Sequence, residues 1–217
     1  MLPTDDLGFV HIFVPADPPD ANAVTLLLLH GTGGDERDLL PVGRQLWPGA
    51  ALLAVRGQVL ENGMHRFFRR LAEGVFDLED LRLRTEDLAH FIDAAAESYG
   101  FRKKRLVLVG YSNGANIAAS LMFLHPHYET AAILFRPMVP FEPTFLRNLG
   151  DLAVFISAGI ADPIVSPELP EQLAAIFGSA GADVSLFWHD GGHELGADDL
   201  IAAQRWISEK VAKRLAA

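Results

Sequence analysis

Gly110-Tyr111-Ser112-Asn113-Gly114 follows the apolar run Leu106-Val-Leu-Val109 and precedes a stretch of small and apolar residues. A serine between two glycines at that junction is a candidate nucleophile, standing on a sharp turn from strand to helix. Such a turn strains the serine backbone and crowds the positions two residues either side, so Gly110 and Gly114 remove side chains that would clash. Ala118, one turn later, keeps the same helix face slim. The helix N-terminus adds partial positive charge and free N–H groups where negative charge would develop. A hydroxyl is a poor nucleophile until a base takes its proton, and on this kind of elbow an acid and then a histidine follow the serine along the chain.

Four histidines follow Ser112: His125, His127, His189 and His193. His125 and His127 fall at the end of the helix after the elbow. They could be read as a metal pair, but no third ligand is in view, and a solvated helix end is the stronger reading. His193 follows Asp190-Gly191-Gly192, a turn able to hold an imidazole over the end of a sheet, and it is the favoured base, with His189 as the alternative. The acid should follow the preceding strand. There Ala153 to Ser157 leads into Ala158-Gly-Ile-Ala-Asp162-Pro163, and Pro163 restricts Asp162 to extended backbone. Asp162 would hold one imidazole nitrogen and stabilise the imidazolium. The rival reading is an ordinary turn aspartate. Asp190 belongs to the turn itself.

A glycine-rich loop, His30-Gly31-Thr32-Gly33-Gly34, ends another apolar run. Glycines there leave backbone N–H groups uncovered, and the backbone N–H of Thr32 and of Asn113 are the candidate oxyanion donors. No Lys-Ser/Thr pair follows, so the phosphate-loop pattern fails, as does the spacing of a dinucleotide fingerprint. His30 should orient the loop by hydrogen bonds.

The elements that must position these residues are legible in outline. Apolar runs at Phe9–Val14, Thr25–Leu29, Ala51–Val55, Leu106–Val109, Ala131–Phe135, Ala153–Ser157 and Ser185–Trp188 are continuous, apart from the first, an expected edge strand; continuous runs suit strands buried on both faces. Between them, Leu88, Phe91, Ile92, Ala95 and Ala96 share one helix face that stops at Gly100. Further helices are expected over Gly114–Leu124 and Glu168–Phe177, and a last from Ala197 that buries Leu200, Ala203, Ile207 and Val211. This alternation predicts one α/β domain spanning 1–217, a three-layer α/β/α sandwich with a mostly parallel sheet of about seven strands and its site at the carboxyl ends of the strands. The segment 59–77 has no clear period. It carries Met64, Phe67, Phe68 and Phe76 with Arg66, Arg69 and Arg70, and reads equally as a surface excursion with its own aromatic cluster or as a pocket wall.

Composition narrows the class. The chain of 217 residues is half hydrophobic and has no cysteine, which removes disulfides, thiolate metal sites and a cysteine nucleophile. Eighteen basic against 28 acidic side chains leave a net charge of -10, which disfavours a nucleic-acid partner. With no basic helix for a membrane surface and no basic n-region before an apolar run, the expectation is a cytoplasmic protein with no membrane partner. Oligomeric state is open, a homodimer included.

The motifs His30-Gly-Thr-Gly-Gly34, Gly110-Tyr-Ser-Asn-Gly114, Asp162-Pro163 and Gly191-Gly-His193 resemble, in order, the small bacterial carboxylesterase/phospholipase-type esterases of the α/β-hydrolase superfamily, which lack a large lid domain. Arg56-Gly57, Glu61-Asn-Gly63, Arg66-Phe-Phe-Arg69 and Arg136-Pro-Met-Val-Pro140 also look like its bacterial members. Dienelactone hydrolases share the fold but use a cysteine. The resemblance implies a carboxylesterase acting on small ester substrates, with thioesters as further candidates, through Ser112, Asp162 and His193 and without a metal or organic cofactor. Phe67, Phe68, Met138, Ile164 and Val165 are candidate pocket residues, and the absence of a lid predicts short acyl chains. An acyltransferase or peptidase with the same triad, or a non-catalytic small-ligand receptor on the same fold, are the competing functions.

Overall fold

The computed structural model describes residues 4, 6–20, 22–72, 74–126, 130–145 and 147–216. The chain runs β1 (His11–Val14), β2 (Thr25–Leu29), α1 (Leu40–Leu46), β3 (Ala51–Val55), the short strands β4 (Val59–Glu61), β5 (Met64–Arg66), β6 (Arg70–Ala72) and β7 (Val75–Phe76), then α2 (Leu78–Tyr99), β8 (Leu106–Tyr111), α3 (Asn113–Leu124), β9 (Ala131–Phe135), β10 (Ala153–Gly159), α4 (Glu168–Ser179), β11 (Asp183–His189), α5 (Ala197–Trp206) and α6 (Ala212–Ala216). Seven strands form one sheet in the order β1-β3-β2-β8-β9-β10-β11. Only β1 is antiparallel, pairing His11 with Val55 at the edge.

The sheet separates two cores by the two-residue period of its strands. Leu27, Leu29, Leu53, Leu108, Leu134 and Ile156 face one side, where they meet Leu81, Leu88 and Ile92 of α2, Ile117 and Leu121 of α3, and Leu173 and Phe177 of α4. Their neighbours Leu26, Leu28, Leu52, Val107, Ile133 and Phe155 face the other, against Leu46 of α1 and Ala203 and Trp206 of α5. That is the expected sandwich. β2, β3, β8, β9 and β10 are buried on both faces, whereas β11 is half-buried along its whole length because it is the other sheet edge.

Helix boundaries follow local chemistry. The Asp77 carboxylate accepts the Asp80 N–H at 3.1 Å and caps α2, which Gly100 ends with a left-handed backbone at φ 71°. The final helix departs from expectation. After Trp206 it passes through a π-helical turn, Ile207–Val211, which keeps both Ile207 and Val211 in the core, before α6 resumes. Segment 59–77, expected to lack periodicity, folds into two short antiparallel pairs, β4–β5 and β6–β7. No helix among the described residues is long and apolar enough to cross a membrane.

Candidate active site

β8 delivers Ser112 to the carboxyl edge of the sheet, and α3 starts immediately after it. Ser112 has φ 52°, a left-handed conformation that costs a non-glycine residue roughly 1–3 kcal/mol and persists only where surroundings enforce it. They do so here through two contacts. The Ser112 N–H donates to the Phe135 carbonyl of the neighbouring strand at 2.9 Å, and the Ser112 carbonyl accepts the first helical bond from Asn116 at 3.0 Å. A methyl on Gly110 would sit 2.6 Å from the Gly114 carbonyl oxygen, and one on Gly114 would overlap the Leu29 carbonyl. Both glycines are needed because backbone occupies the space.

The three predicted polar side chains converge. Ser112 Oγ lies 2.9 Å from His193 Nε2, and His193 Nδ1 lies 2.8 Å from Asp162 Oδ2. The Asp162 carboxylate is buried, and its other oxygen accepts the N–H groups of Ile164 at 2.8 Å and Val165 at 3.0 Å. With Oδ1 engaged by two amides and Oδ2 by imidazole, the ring is held with Nδ1 protonated and Nε2 turned to the serine. His189, the alternative base, does something else. Its Nδ1 accepts the Gly191 N–H at 3.0 Å and so shapes the turn before His193. His125 lies 3.0 Å from Glu86, and His127 falls outside the described residues.

The glycine loop after β2 is braced from within. His30 Nε2 accepts the Gly57 N–H at 2.9 Å, which leaves the proton on Nδ1 to donate to the Gly31 carbonyl at 2.6 Å. Burial holds the His30 imidazole below its ordinary range, the Gly31 bond opposing, so the neutral ring these bonds need is the favoured one. Asn113, beside Ser112, turns its side chain inward and accepts the Phe67 N–H at 2.7 Å.

Thr32, Ser112, Asn113 and His193 line a cavity of about 350 Å³, closed by Met64, Phe76, Met138 and Ile164 and by the guanidiniums of Arg66 and Arg70. Arg66 donates to Thr32 Oγ1 at 2.9 Å, and Glu61 lies 3.6 Å from Arg66 and 3.5 Å from Arg70. Burial, with the nearby charge of Arg70, pushes the Arg66 guanidinium below its ordinary value against the pull of Glu61. One carboxylate between two guanidiniums leaves that wall positive.

Met138 and Ile164 thus stand where the sequence placed them. Phe67, Phe68 and Val165 do not. Phe67 and Phe68 are fully buried in the α2-side core, Phe67 packed at 4.9 Å on the His30 ring and Phe68 edge-on at 5.1 Å to Phe76. Aromatic rings gain more from a dry core than from a wet pocket mouth. Val165 is also buried and serves the site through its N–H. In their place the wall uses Met64 and Phe76 from the short hairpins.

Sequence reasoning gave no role to two groups. Arg136 and Asp199 are fully buried and paired at 2.8 Å through both carboxylate oxygens. Burial pushes the Asp199 carboxyl up, but hydrogen bonds from Arg136, Ser157 and Gly196 outweigh it and hold the group below the usual carboxylate range. An arginine directly after the all-apolar run Ala131–Phe135 was the available signal, since nothing there places its charge in solvent.

A larger groove, of about 810 Å³, lies along β11 and α5 and is lined by none of the three converging residues.

Set against known proteins, the chain matches the family model described as the dienelactone hydrolase family over residues 63–205. It is 52% identical to MhqD of Bacillus subtilis (strain 168) over 186 residues, 86% of this chain and 93% of that protein. Its fold superposes on a Bacillus cereus carboxylesterase with a TM-score of 0.92 and 46% identity, covering 94% of this chain and 96% of that one. Acyl-protein thioesterase 1 of Cryptococcus neoformans var. neoformans serotype D (strain JEC21 / ATCC MYA-565) is 26% identical over 170 residues, 68% of this chain and 70% of that protein. The chain belongs to the dienelactone hydrolase family, within the α/β hydrolases.

Proposed function

We propose that this protein is a serine carboxylesterase acting on small esters, with Ser112 as nucleophile, His193 as base and Asp162 as the group that orients the imidazole. The observation that carries the reading is the unbroken relay from Ser112 Oγ to His193 Nε2 at 2.9 Å and from His193 Nδ1 to Asp162 Oδ2 at 2.8 Å, at the mouth of a cavity of small-molecule size.

His193 takes the Ser112 proton as Oγ bonds to the acyl carbon, and the carbonyl pair moves onto oxygen. The N–H groups of Thr32 and Asn113 stabilise that oxyanion, each contributing on the order of 10²-fold or more in rate. The tetrahedral centre collapses, the bond to the leaving oxygen breaks, and His193 delivers its proton to the alcohol. Water then enters along the same path, gives a proton to His193 as its oxygen bonds to the acyl carbon, and the acid leaves as the bond to Ser112 Oγ breaks and His193 returns the proton to that oxygen. A thioester passes through the same steps with sulfur as leaving atom. The similarity to an acyl-protein thioesterase supports testing thioesters beside esters. Met64, Phe76, Met138 and Ile164 in a cavity of about 350 Å³ suit a short acyl group.

A fluorophosphonate probe with peptide mapping, run beside p-nitrophenyl acetate hydrolysis, tests the reading. Stoichiometric modification of Ser112 with parallel loss of hydrolysis is expected, and Ser112→Ala should lower kcat by about 10⁶-fold while the protein stays folded. Labelling elsewhere, or turnover in the variant, rejects Ser112 as nucleophile.

A further inference from the structure

Three consecutive carbonyls flank and include His193, and each has a buried or half-buried donor. The Gly192 carbonyl accepts from Arg136 Nε at 3.0 Å, the His193 carbonyl from the Tyr111 hydroxyl at 3.1 Å, and the Glu194 carbonyl from an Arg136 terminal nitrogen at 2.8 Å. Tyr111 immediately precedes the nucleophile. Burial pushes its phenol up, with Arg136 opposing, so it stays a donor. Arg136 immediately follows Phe135, whose carbonyl holds the Ser112 N–H. One dipeptide at the end of β9 therefore grips the backbone on both sides of the reacting pair.

The guanidinium is fully used. A guanidinium has five N–H groups. Here Nε serves Gly192; one terminal nitrogen serves Asp199 Oδ1 at 2.8 Å and Ser157 Oγ at 3.0 Å; the other serves Glu194 and Asp199 Oδ2, the latter at 2.8 Å. Asp199 in turn accepts the Ser157 hydroxyl and, at 2.8 Å, the Gly196 N–H that starts α5. The Arg136 backbone is itself left-handed, at φ 55°, with its N–H on the Ser157 carbonyl at 2.8 Å. Burying an ion pair is poor value as stabilisation, since apolar residues of similar size often serve as well. Apolar residues cannot donate to the Gly192 and Glu194 carbonyls.

We infer that Arg136, held in its fork geometry by Asp199 and Ser157, is a positioning residue: it sets the height and tilt of the His193 loop relative to Ser112, and so the distance across which the proton moves. Lysine has the charge but not the planar fork, and cannot reach both carbonyls and the carboxylate at once. The inference rests on the reading of Ser112, His193 and Asp162 as a relay. It is tested partly on resting protein, so a protein silent toward every ester would sink that reading and leave this one measurable.

The experiment compares Arg136→Lys, the double variant Arg136→Met/Asp199→Leu, and Tyr111→Phe with the unaltered protein. Melting curves establish folding, p-nitrophenyl acetate gives kcat and KM, and proton NMR reads the low-field resonance of the His193 Nδ1–H to Asp162 bond. The double variant removes the buried charges together and is expected to melt cooperatively, with KM within about twofold. Its kcat should fall about 30-fold, as a misplacement near 1 Å costs on the order of 10², and the low-field resonance should broaden away. Arg136→Lys should lie between it and the unaltered protein in both readouts. Tyr111→Phe, lacking only the middle bond, should lose about threefold in kcat, and it carries the test should the arginine variants not fold. Folded variants with unaltered kcat overturn the inference, and so does a fall in kcat with the resonance unchanged.

Discussion

The cavity has two walls of opposite construction. The floor, formed by the ends of β2, β8 and β9, is built from backbone packed against backbone: Gly114 leaves no room for a methyl beside the Leu29 carbonyl, and Ser112 is held at φ 52° by strands buried on both faces. The opposite wall is the excursion 59–77, two hairpins of two or three residues per strand with Leu60, Leu71 and Val75 exposed, and with Arg66, Arg70 and a partly exposed Met64 lining the cavity. The floor is over-determined and can hold strain. The excursion is thinly determined and offers side-chain variety. On the proposed function the reacting atoms sit on the first and substrate is selected by the second, a division that rigid sheets and marginal hairpins make naturally.

The most damaging change should therefore be the smallest one in the floor. Gly114→Ala adds one methyl where only main chain can yield, so β2 or the elbow must move. We expect a loss of roughly 3 kcal/mol in stability, as for severe overpacking, and about 10³-fold in kcat/KM, measured by thermal denaturation and ester hydrolysis. A variant with unchanged melting temperature and turnover would show the floor to be as pliable as the hairpins.

A change in the excursion should act on choice of substrate. Arg66 and Arg70 share Glu61, so the wall carries excess positive charge. For mono-p-nitrophenyl succinate against p-nitrophenyl butyrate, Arg70→Gln should lower the ratio of the two kcat/KM values about tenfold, equivalent to about 1.4 kcal/mol. An unchanged ratio would mean that Glu61 already cancels the wall.

The same contrast explains what could be read from sequence. Strands buried on both faces need continuous apolar runs, and a strained elbow needs glycines at fixed offsets; both leave one-dimensional marks, and Ser112, Asp162 and His193 could be picked out with them. The excursion leaves none. Its strands are too short for a period, and Phe67 and Phe68 are as compatible with a pocket as with the core in which they lie. The Arg136–Asp199 pair joins residues 63 positions apart through a fork that only the assembled sheet creates. Its one trace was a charge at the end of an apolar run.

Several bonds cross between the two walls: the Phe67 N–H donates to Asn113 Oδ1 at 2.7 Å, the Gly33 N–H to the His65 carbonyl at 2.8 Å, and Arg66 to Thr32 Oγ1 at 2.9 Å. The last joins two side chains and can be removed without touching the main chain, so it tests how far the walls depend on each other. Thr32→Val keeps volume and the backbone N–H but removes the acceptor. If the excursion braces the glycine loop through this bond, kcat for p-nitrophenyl acetate should drop about fivefold, corresponding to a hydrogen bond of about 1 kcal/mol, with KM little changed. If kcat holds and only KM moves, the His30 bonds to Gly31 and Gly57, with the Gly33 N–H on the His65 carbonyl, fix the loop without it. The Arg66 side chain then acts on substrate alone, and any bracing of the floor by the excursion runs through the main-chain groups of His65 and Phe67.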